Sequence, residues 1–261
     1  MVYYPLIKVP KFSAKTTVFN FSPNNWELRK PVSPKFINAS WVQDGLWHTT
    51  SILFISPNQC IDVTSDQCEI LAGIDRHVFL SMSNVQQSYV GNSLPEFLVE
   101  GTSYPEWRAS LHILSEYSST SYLGEIAPFP SKSSCLSFGG MFQQELHIKN
   151  NVIFINLEKS SISRTEVLTI HSPHTGKIIE EFVVKNNSVN LLEMPIFEFE
   201  KDFLPVIISR GMGGIPLYFS HDSEGVSLSL EHSHPPSSYV VHGDRNRAQR
   251  ELKRYWFERC K

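Results

Sequence analysis

Two histidines near the C-terminus are the residues best placed to bind a metal ion. His232 and His234 are separated by one residue, so on a β-strand both rings would leave the same face with their Cα atoms about 7 Å apart. This spacing can present two imidazole nitrogens to one divalent ion such as zinc. A third ligand would come from one of the polar residues nearby: His221, Asp222, His242 or Asp244. Alternatively, because Pro235 and Pro236 end the strand, these histidines only bond loops at the edge of the sheet.

A second set of polar residues lies on and after residues 107–114, where apolar and polar residues alternate. This period of two predicts a half-buried strand with Arg108, Ser110 and His112 on one face. An antiparallel partner joined by a turn near residues 116–119 would place Tyr122 or Glu125 across from Arg108 or His112.

The polar set can be interpreted in two ways. As a binding site, Arg108, His112, Tyr122 and Glu125 would form a pocket for a small hydroxylated or anionic ligand. As a structural feature, Arg108 and Glu125 would form an internal ion pair, because an unpaired buried charge is costly.

Sequence motifs of the common enzyme classes are absent. The chain contains no Walker loop, no GxSxG sequence, no HExxH sequence and no protein-kinase motifs. The polar residues also lack the spacing of an established nucleophile or acid–base pair. We therefore expect a non-catalytic accessory protein that binds a carbohydrate-like ligand, a small anionic ligand or a protein partner and needs no cofactor. The alternative is a metal-dependent enzyme built on His232 and His234.

The remaining pattern predicts an all-β protein. Short segments rich in Val, Ile, Phe, Thr and Tyr recur between Ser, Asn, Gly and Pro clusters, and helical periodicity is nearly absent before residue 243. The predicted strands include Leu46–Ile55 and Val206–Ser209. Hairpin turns are predicted at residues 43–45, 172–176 and 221–225. We expect two packed β-sandwich-like lobes at 1–130 and 135–242, separated by the Pro/Ser-rich residues 128–134. Residues 151–235 resemble an immunoglobulin-like sandwich in architecture, which implies no activity. No internal sequence repeat is evident.

Residues 243–261 are predicted to form a basic amphipathic helix that begins near Arg245, with Asp244 as its N-cap. Four residues at helical spacing would form its buried face: Ala248, Leu252, Tyr255 and Trp256. The helix would close the sheets with this face and expose its basic face.

Composition narrows the partners and the compartment. The net charge of −3 makes nucleic acid an unlikely partner, and no stretch approaches the 18–20 apolar residues of a membrane span. Residues 1–8 lack a basic leader followed by an apolar segment, which favours a cytoplasmic location. In that compartment we expect free thiols at all four cysteines, which are Cys60, Cys68, Cys135 and Cys260. Under oxidising conditions, Cys60 and Cys68 could instead form a disulfide that closes a short loop.

Overall fold

The computed structural model describes residues 2–21, 33–64, 77–97, 109–123, 125–139, 147–194, 205–232 and 245–261. These residues form seventeen strands and one helix. The first nine strands are β1 (Tyr4–Leu6), β2 (Ser13–Asn20), β3 (Lys35–Gln43), β4 (Leu46–Ile55), β5 (Gln59–Thr64), β6 (Val78–Ser83), β7 (Ser88–Gly91), β8 (Ala109–Leu114) and β9 (Ser119–Leu123). The others are β10 (Cys135–Phe138), β11 (Lys149–Asn156), β12 (Thr165–His171), β13 (Ile178–Lys185), β14 (Ser188–Glu193), β15 (Val206–Ser209), β16 (Ile215–His221), β17 (Leu228–Glu231) and α1 (Arg245–Arg259).

The strands form four antiparallel sheets packed as sandwiches, which confirms the predicted fold class. Sheet I has the order β1-β6-β3-β4-β7, and sheet II has the order β5-β2-β8-β9. Sheet III has the order β10-β15-β12-β13, and sheet IV has the order β14-β11-β16-β17. We call sheets I and II the N-terminal lobe and sheets III and IV the C-terminal lobe. The domain boundaries at 1–130, 135–242 and 243–261 stay a prediction.

Turn chemistry explains the tight hairpins. Asp44 and Gly45 join β3 to β4 with φ angles of 51° and 75°, and Asp-Gly is a preferred pair for this left-handed turn. Gly176 and Gly225, with φ angles of 73° and 74°, lie in the β12–β13 and β16–β17 connections. Both of these hairpins were predicted from the sequence.

The two lobes repeat one topology, although the sequence shows no repeat. Strands β1, β2, β3, β4, β5, β6, β8 and β9 have the same order and neighbours as β10 to β17, and β7 is the one described strand without a counterpart. The registers agree as well. Thr17 pairs with both Asp62 and Ser110, and the equivalent Ile153 pairs with both Leu191 and Leu217. Equivalent positions can therefore be compared strand by strand.

Each lobe has its own apolar core. In the N-terminal lobe, Val18 of sheet II packs with Ile37 and Leu80 of sheet I. In the C-terminal lobe, Phe154 of sheet IV packs with Leu168 and Ile207 of sheet III. Because β-strand residues alternate between faces, each sheet also has an outer face that takes no part in the core of its own lobe.

A third apolar cluster joins the lobes. It combines Trp47 and Phe79, on the outer face of sheet I, with Ile153, Leu217 and Phe219 on the outer face of sheet IV. All five side chains are buried. The β11 strand thus buries apolar residues on both faces, which holds the two lobes together through a continuous hydrophobic contact.

Helix α1 covers the outer face of sheet III. Trp256, Phe257 and Cys260 pack on Val206 and Ile208 of β15. The Arg210 guanidinium donates a 3.0 Å hydrogen bond to the Phe257 carbonyl oxygen, and the Arg259 Nε donates one of 3.1 Å to the Pro173 carbonyl oxygen. These bonds satisfy carbonyl groups at the end of the helix and in the β12–β13 turn.

The helix exists where the sequence predicts it, but its buried face differs. Tyr255, predicted to pack on the sheet, is 54% exposed, whereas Phe257 is part of the docked face. Lys253 also lies on the docked side and donates to the Ser134 carbonyl oxygen at 2.5 Å. The apolar spacing fits two neighbouring helix faces, and contact with β15 selects the one that carries Phe257.

We expect Trp256→Ala to lower the free energy of unfolding by about 2 kcal/mol, less than the cost of about 3–5 kcal/mol for a fully buried tryptophan, because Trp256 is half-buried. Tyr255→Ala, its neighbour on the exposed side, should change stability by less than about 0.5 kcal/mol. Urea denaturation followed by circular dichroism measures both. Equal losses in the two variants would contradict the observed helix orientation.

Candidate ligand-binding face

The outer face of sheet II carries a set of polar side chains on four adjacent strands, of which Thr17 and Ser110 are buried. We call this set the polar face: Lys15, Thr17, Asp62, Ser110, His112 and Ser121. Strand alternation places these residues on one side, because each is an even number of residues from its neighbour on the same strand. Lys15 faces His112 across β2 and β8, and His112 faces Ser121 across β8 and β9.

A hydrogen-bonded group fixes one edge of the polar face. The Lys15 Nζ donates to Asp62 Oδ2 at 2.6 Å, and the Thr17 hydroxyl donates to Asp62 Oδ1 at 2.5 Å. These two bonds hold the pKa of Asp62 below its usual range. The Asp62 carboxylate is therefore ionised and oriented, and it keeps lone pairs that can accept further hydrogen bonds.

His112 lies at the centre of the polar face and is half-buried. Burial lowers its pKa, the positive charge of Lys15 adds to this effect, and Asp62 opposes it. At neutral pH the imidazole is therefore uncharged, with one nitrogen that donates and one that accepts. The nearby Ser110 is buried, and Ser121 is exposed.

The equivalent face of the C-terminal lobe has the opposite chemistry. Sheet IV places Leu217, Phe219 and Leu230 where sheet II has Ser110, His112 and Ser121. These three apolar side chains are buried in the cluster that joins the lobes. The same surface of the repeated unit is thus apolar on sheet IV, where it contacts the other lobe, and polar on sheet II.

The sequence-predicted binding residues are only partly brought together. His112 lies on the polar face, but Tyr122 pairs with Leu111 and so lies on the opposite side of the β8–β9 hairpin. The prediction places Tyr122 across from Arg108 or His112. In the structure the register is shifted by one residue, so Ser121 lies across from His112. Glu125 follows β9 and is half-buried. Arg108 lies outside the described residues, so its ion pair with Glu125 stays a prediction.

His232 is held by the C-terminal lobe, and His234 lies outside the described residues. The His232 Nδ1 is hydrogen-bonded to the Pro216 carbonyl oxygen at 2.9 Å, and the ring meets the edge of Tyr122 with centroids 5.9 Å apart. Within the described ranges, no group of three or more His, Cys, Asp or Glu residues could hold a metal ion. A metal site at this position stays a prediction.

Three members of the polar face were missed by the sequence analysis: Lys15, Thr17 and Asp62. The β2 sequence does alternate, because Lys15, Thr17 and Phe19 share one face and Thr16, Val18 and Asn20 share the other. However, no local pattern indicates that β2 pairs with β8, about ninety residues further along the chain. Only the fold brings Asp62 close to His112.

A separate polar network fastens a loop of the C-terminal lobe. The Glu158 carboxylate is buried and accepts two hydrogen bonds from Arg164, through Nη2 and, at 3.2 Å, through Nε. Arg164 Nη1 also donates to the Gly211 carbonyl oxygen at 2.8 Å. Asn186 donates to Glu158 Oε2 and accepts from the Arg164 backbone N–H. Because every charged group in the network is paired, its geometry indicates a structural role.

The three described cysteines are free thiols, in agreement with the sequence analysis: Cys60, Cys135 and Cys260. Cys68 lies outside the described residues. Burial raises the pKa of the Cys135 thiol to about 12, so this cysteine is an unreactive core residue. In the described part of the chain, no helix has the length and hydrophobicity needed to span a membrane.

Comparisons with known proteins identify no relative. No protein-family model, no curated protein and no solved structure matches this chain.

Proposed function

We propose that this protein is a non-catalytic binding protein and that the polar face of sheet II binds a hydroxylated, carbohydrate-like ligand. The observation that carries the proposal is the contrast between equivalent faces. Sheet IV uses its outer face as an apolar contact, whereas sheet II presents ordered hydrogen-bonding groups at the same positions.

The chemistry of the polar face suits a polyol. The Asp62 carboxylate accepts hydrogen bonds, Lys15 donates them, and the neutral imidazole of His112 can do both. Adjacent sugar hydroxyl groups need such a mixture of acceptors and donors. The Lys15–Asp62 bond also orders both side chains before binding, which reduces the entropy that a ligand must overcome.

Saturation-transfer NMR with glucose, galactose and mannose as probes tests this proposal, with N-acetylneuraminic acid as the anionic probe. We expect Asp62→Asn and His112→Phe to weaken binding about tenfold, because a hydrogen bond to the charged Asp62 contributes about 1.5–3 kcal/mol and one to the neutral His112 about 0.5–1.5 kcal/mol. His112→Phe introduces the residue found at the equivalent position, Phe219. Binding should also fall at acidic pH, below the ordinary histidine pKa of about 6.5, because the lowered pKa of His112 delays protonation of its imidazole to more acidic conditions.

A matched pair of variants controls the experiment. Lys15→Ala removes the lysine bound to Asp62, and Lys149→Ala removes an exposed lysine that pairs with Glu193 in the C-terminal lobe. Only the first should reduce saturation transfer. Absence of signal from every probe, or equal signals in the two variants, would show that the polar face does not bind such ligands.

One alternative function and two further interpretations accompany this proposal. The alternative function is a metal-dependent enzyme. The His232 Nδ1 is hydrogen-bonded to a backbone carbonyl oxygen, and many metal-binding histidines are oriented by such a bond. The free cysteines support the cytoplasmic location expected from the sequence. Two facing four-stranded antiparallel sheets in the C-terminal lobe support its immunoglobulin-like classification.

A further inference from the structure

Strand β13 is an edge strand that exposes apolar residues between charged ones. It forms one end of sheet III and pairs with β12 on one side; among the described residues, no strand pairs with its other side. Val183 is 71% exposed and Ile178 is 47% exposed. Val167 of β12, which pairs with Val183, is 43% exposed on the same face. Proteins usually protect such edges with charges, proline or a covering element.

The repeated topology shows what this edge can accept. Strand β4 is the N-terminal counterpart of β13, and its equivalent edge pairs antiparallel with β7. The pairing continues to Ser51, whose N–H donates to the Gln87 carbonyl oxygen at 3.0 Å. On β13, the Glu181 N–H donates to the carboxylate of Glu180 at 3.3 Å instead of to a further strand. The unit therefore binds an extra antiparallel strand in one lobe, and in the other lobe no described strand pairs with the equivalent edge.

The main-chain groups of alternate β13 residues point toward this edge. The Lys185 N–H and carbonyl group bond the Asn190 side chain at 2.9 Å and 3.0 Å, away from β12. The N–H and carbonyl groups of every second residue along a strand point to the same side. Those of Glu181 and Val183 therefore point away from β12, as those of Lys185 do. Val183 thus offers a donor and an acceptor to a further strand.

The side chains of β13 are self-complementary about Val183. If two copies of β13 pair antiparallel with Val183 opposite itself, Glu181 of each copy lies opposite Lys185 of the other. All three residues share the outer face with Val167. The paired sheets would then carry an uninterrupted row of four valines, two from each copy, flanked by two opposite-charge pairs.

We infer that the protein forms a homodimer through antiparallel pairing of β13 with β13 of a second copy, which joins the two copies of sheet III into one eight-stranded sheet. This contact is isologous, since the same strand is used by both copies. Helix α1 packs on β10 and β15 at the opposite side of sheet III and contacts the β12–β13 turn through Arg259, while Val183 in the second half of β13 stays exposed.

Sedimentation velocity over a concentration series tests the homodimer. We expect the full chain to associate to twice its 29.8 kDa mass in the micromolar range. Lys185→Glu should weaken association about tenfold, because two attractive pairs become repulsive. The double variant Glu181→Lys with Lys185→Glu should restore association, since it exchanges the charges without removing them.

Two further variants separate edge pairing from loss of fold. Val183→Pro removes an N–H that points away from β12, so the fold should persist while dimers are lost. Ile162→Lys alters another highly exposed apolar residue of the C-terminal lobe and should leave association unchanged. A wild-type chain that stays monomeric up to millimolar concentration would overturn the inference. A dimer that persists in folded Val183→Pro, with its folding verified by circular dichroism, would overturn it as well.

Discussion

Trp47→Ala is expected to lower the free energy of unfolding by about 3–5 kcal/mol, the usual cost of truncating a buried aromatic residue. Trp47 is fully buried between the lobes and contacts Phe79 with ring centroids 6.5 Å apart. Its indole N–H also donates to the Lys159 carbonyl oxygen at 3.0 Å. The variant would leave a cavity in the cluster that joins the lobes. Urea denaturation followed by circular dichroism measures the loss.

Two controls identify the source of this effect. Trp47→Phe retains most of the apolar ring but loses the bond to Lys159, so it should cost less than the alanine variant. Phe54→Ala truncates an exposed aromatic residue on the same sheet and should have a small effect. A Trp47→Ala protein as stable as Phe54→Ala would mean that the lobes do not depend on this contact.

Arg164→Met is expected to destabilise the protein by about 3 kcal/mol, the lower end of the cost of breaking a buried ion pair. The Glu158 side chain is only 2% exposed, so the variant leaves a buried carboxylate without its partner. The loss should be at the lower end because the Arg164 side chain is itself 27% exposed. The same denaturation experiment measures it.

A double-mutant cycle separates lost attraction from an unpaired charge. Glu158→Gln keeps the shape of the side chain and removes its charge. If the charge causes the loss, the Glu158→Gln with Arg164→Met double variant should be more stable than Arg164→Met alone. Losses that simply add would show that the two side chains act independently, in contradiction to the structure.

The repeat of the fold changes how the two lobes are understood. Identical strand order allows equivalent faces to have different roles. The outer face is polar on sheet II and apolar on its counterpart sheet IV, and it contacts the other lobe on sheet I but is covered by α1 on its counterpart sheet III. Sequence comparison of the lobes misses this relationship because topology depends on the alternation of apolar residues, which many sequences satisfy.

Local patterns were sufficient to predict much of the secondary structure. Leu46–Ile55 and Val206–Ser209 agree with the predicted strands residue for residue, and α1 begins at Arg245 as expected. Strand β3 was missed. Its sequence does alternate, with Ile37, Ala39 and Trp41 on the core face and Asn38 and Ser40 on the other face, so a period of two could have identified it.

The sequence by itself determined the all-β class, the main hairpins and the position of the helix, because these depend on residues close together in the chain. The tertiary structure decided the pairing of β2 with β8, the side of β9 on which Tyr122 lies and the helix face that carries Phe257. Each of these depends on contacts between distant segments, and a shift of one residue in register moves a side chain to the opposite face. For this reason His112 was found from its own strand, whereas its neighbours Lys15 and Asp62 were recognised only in the fold.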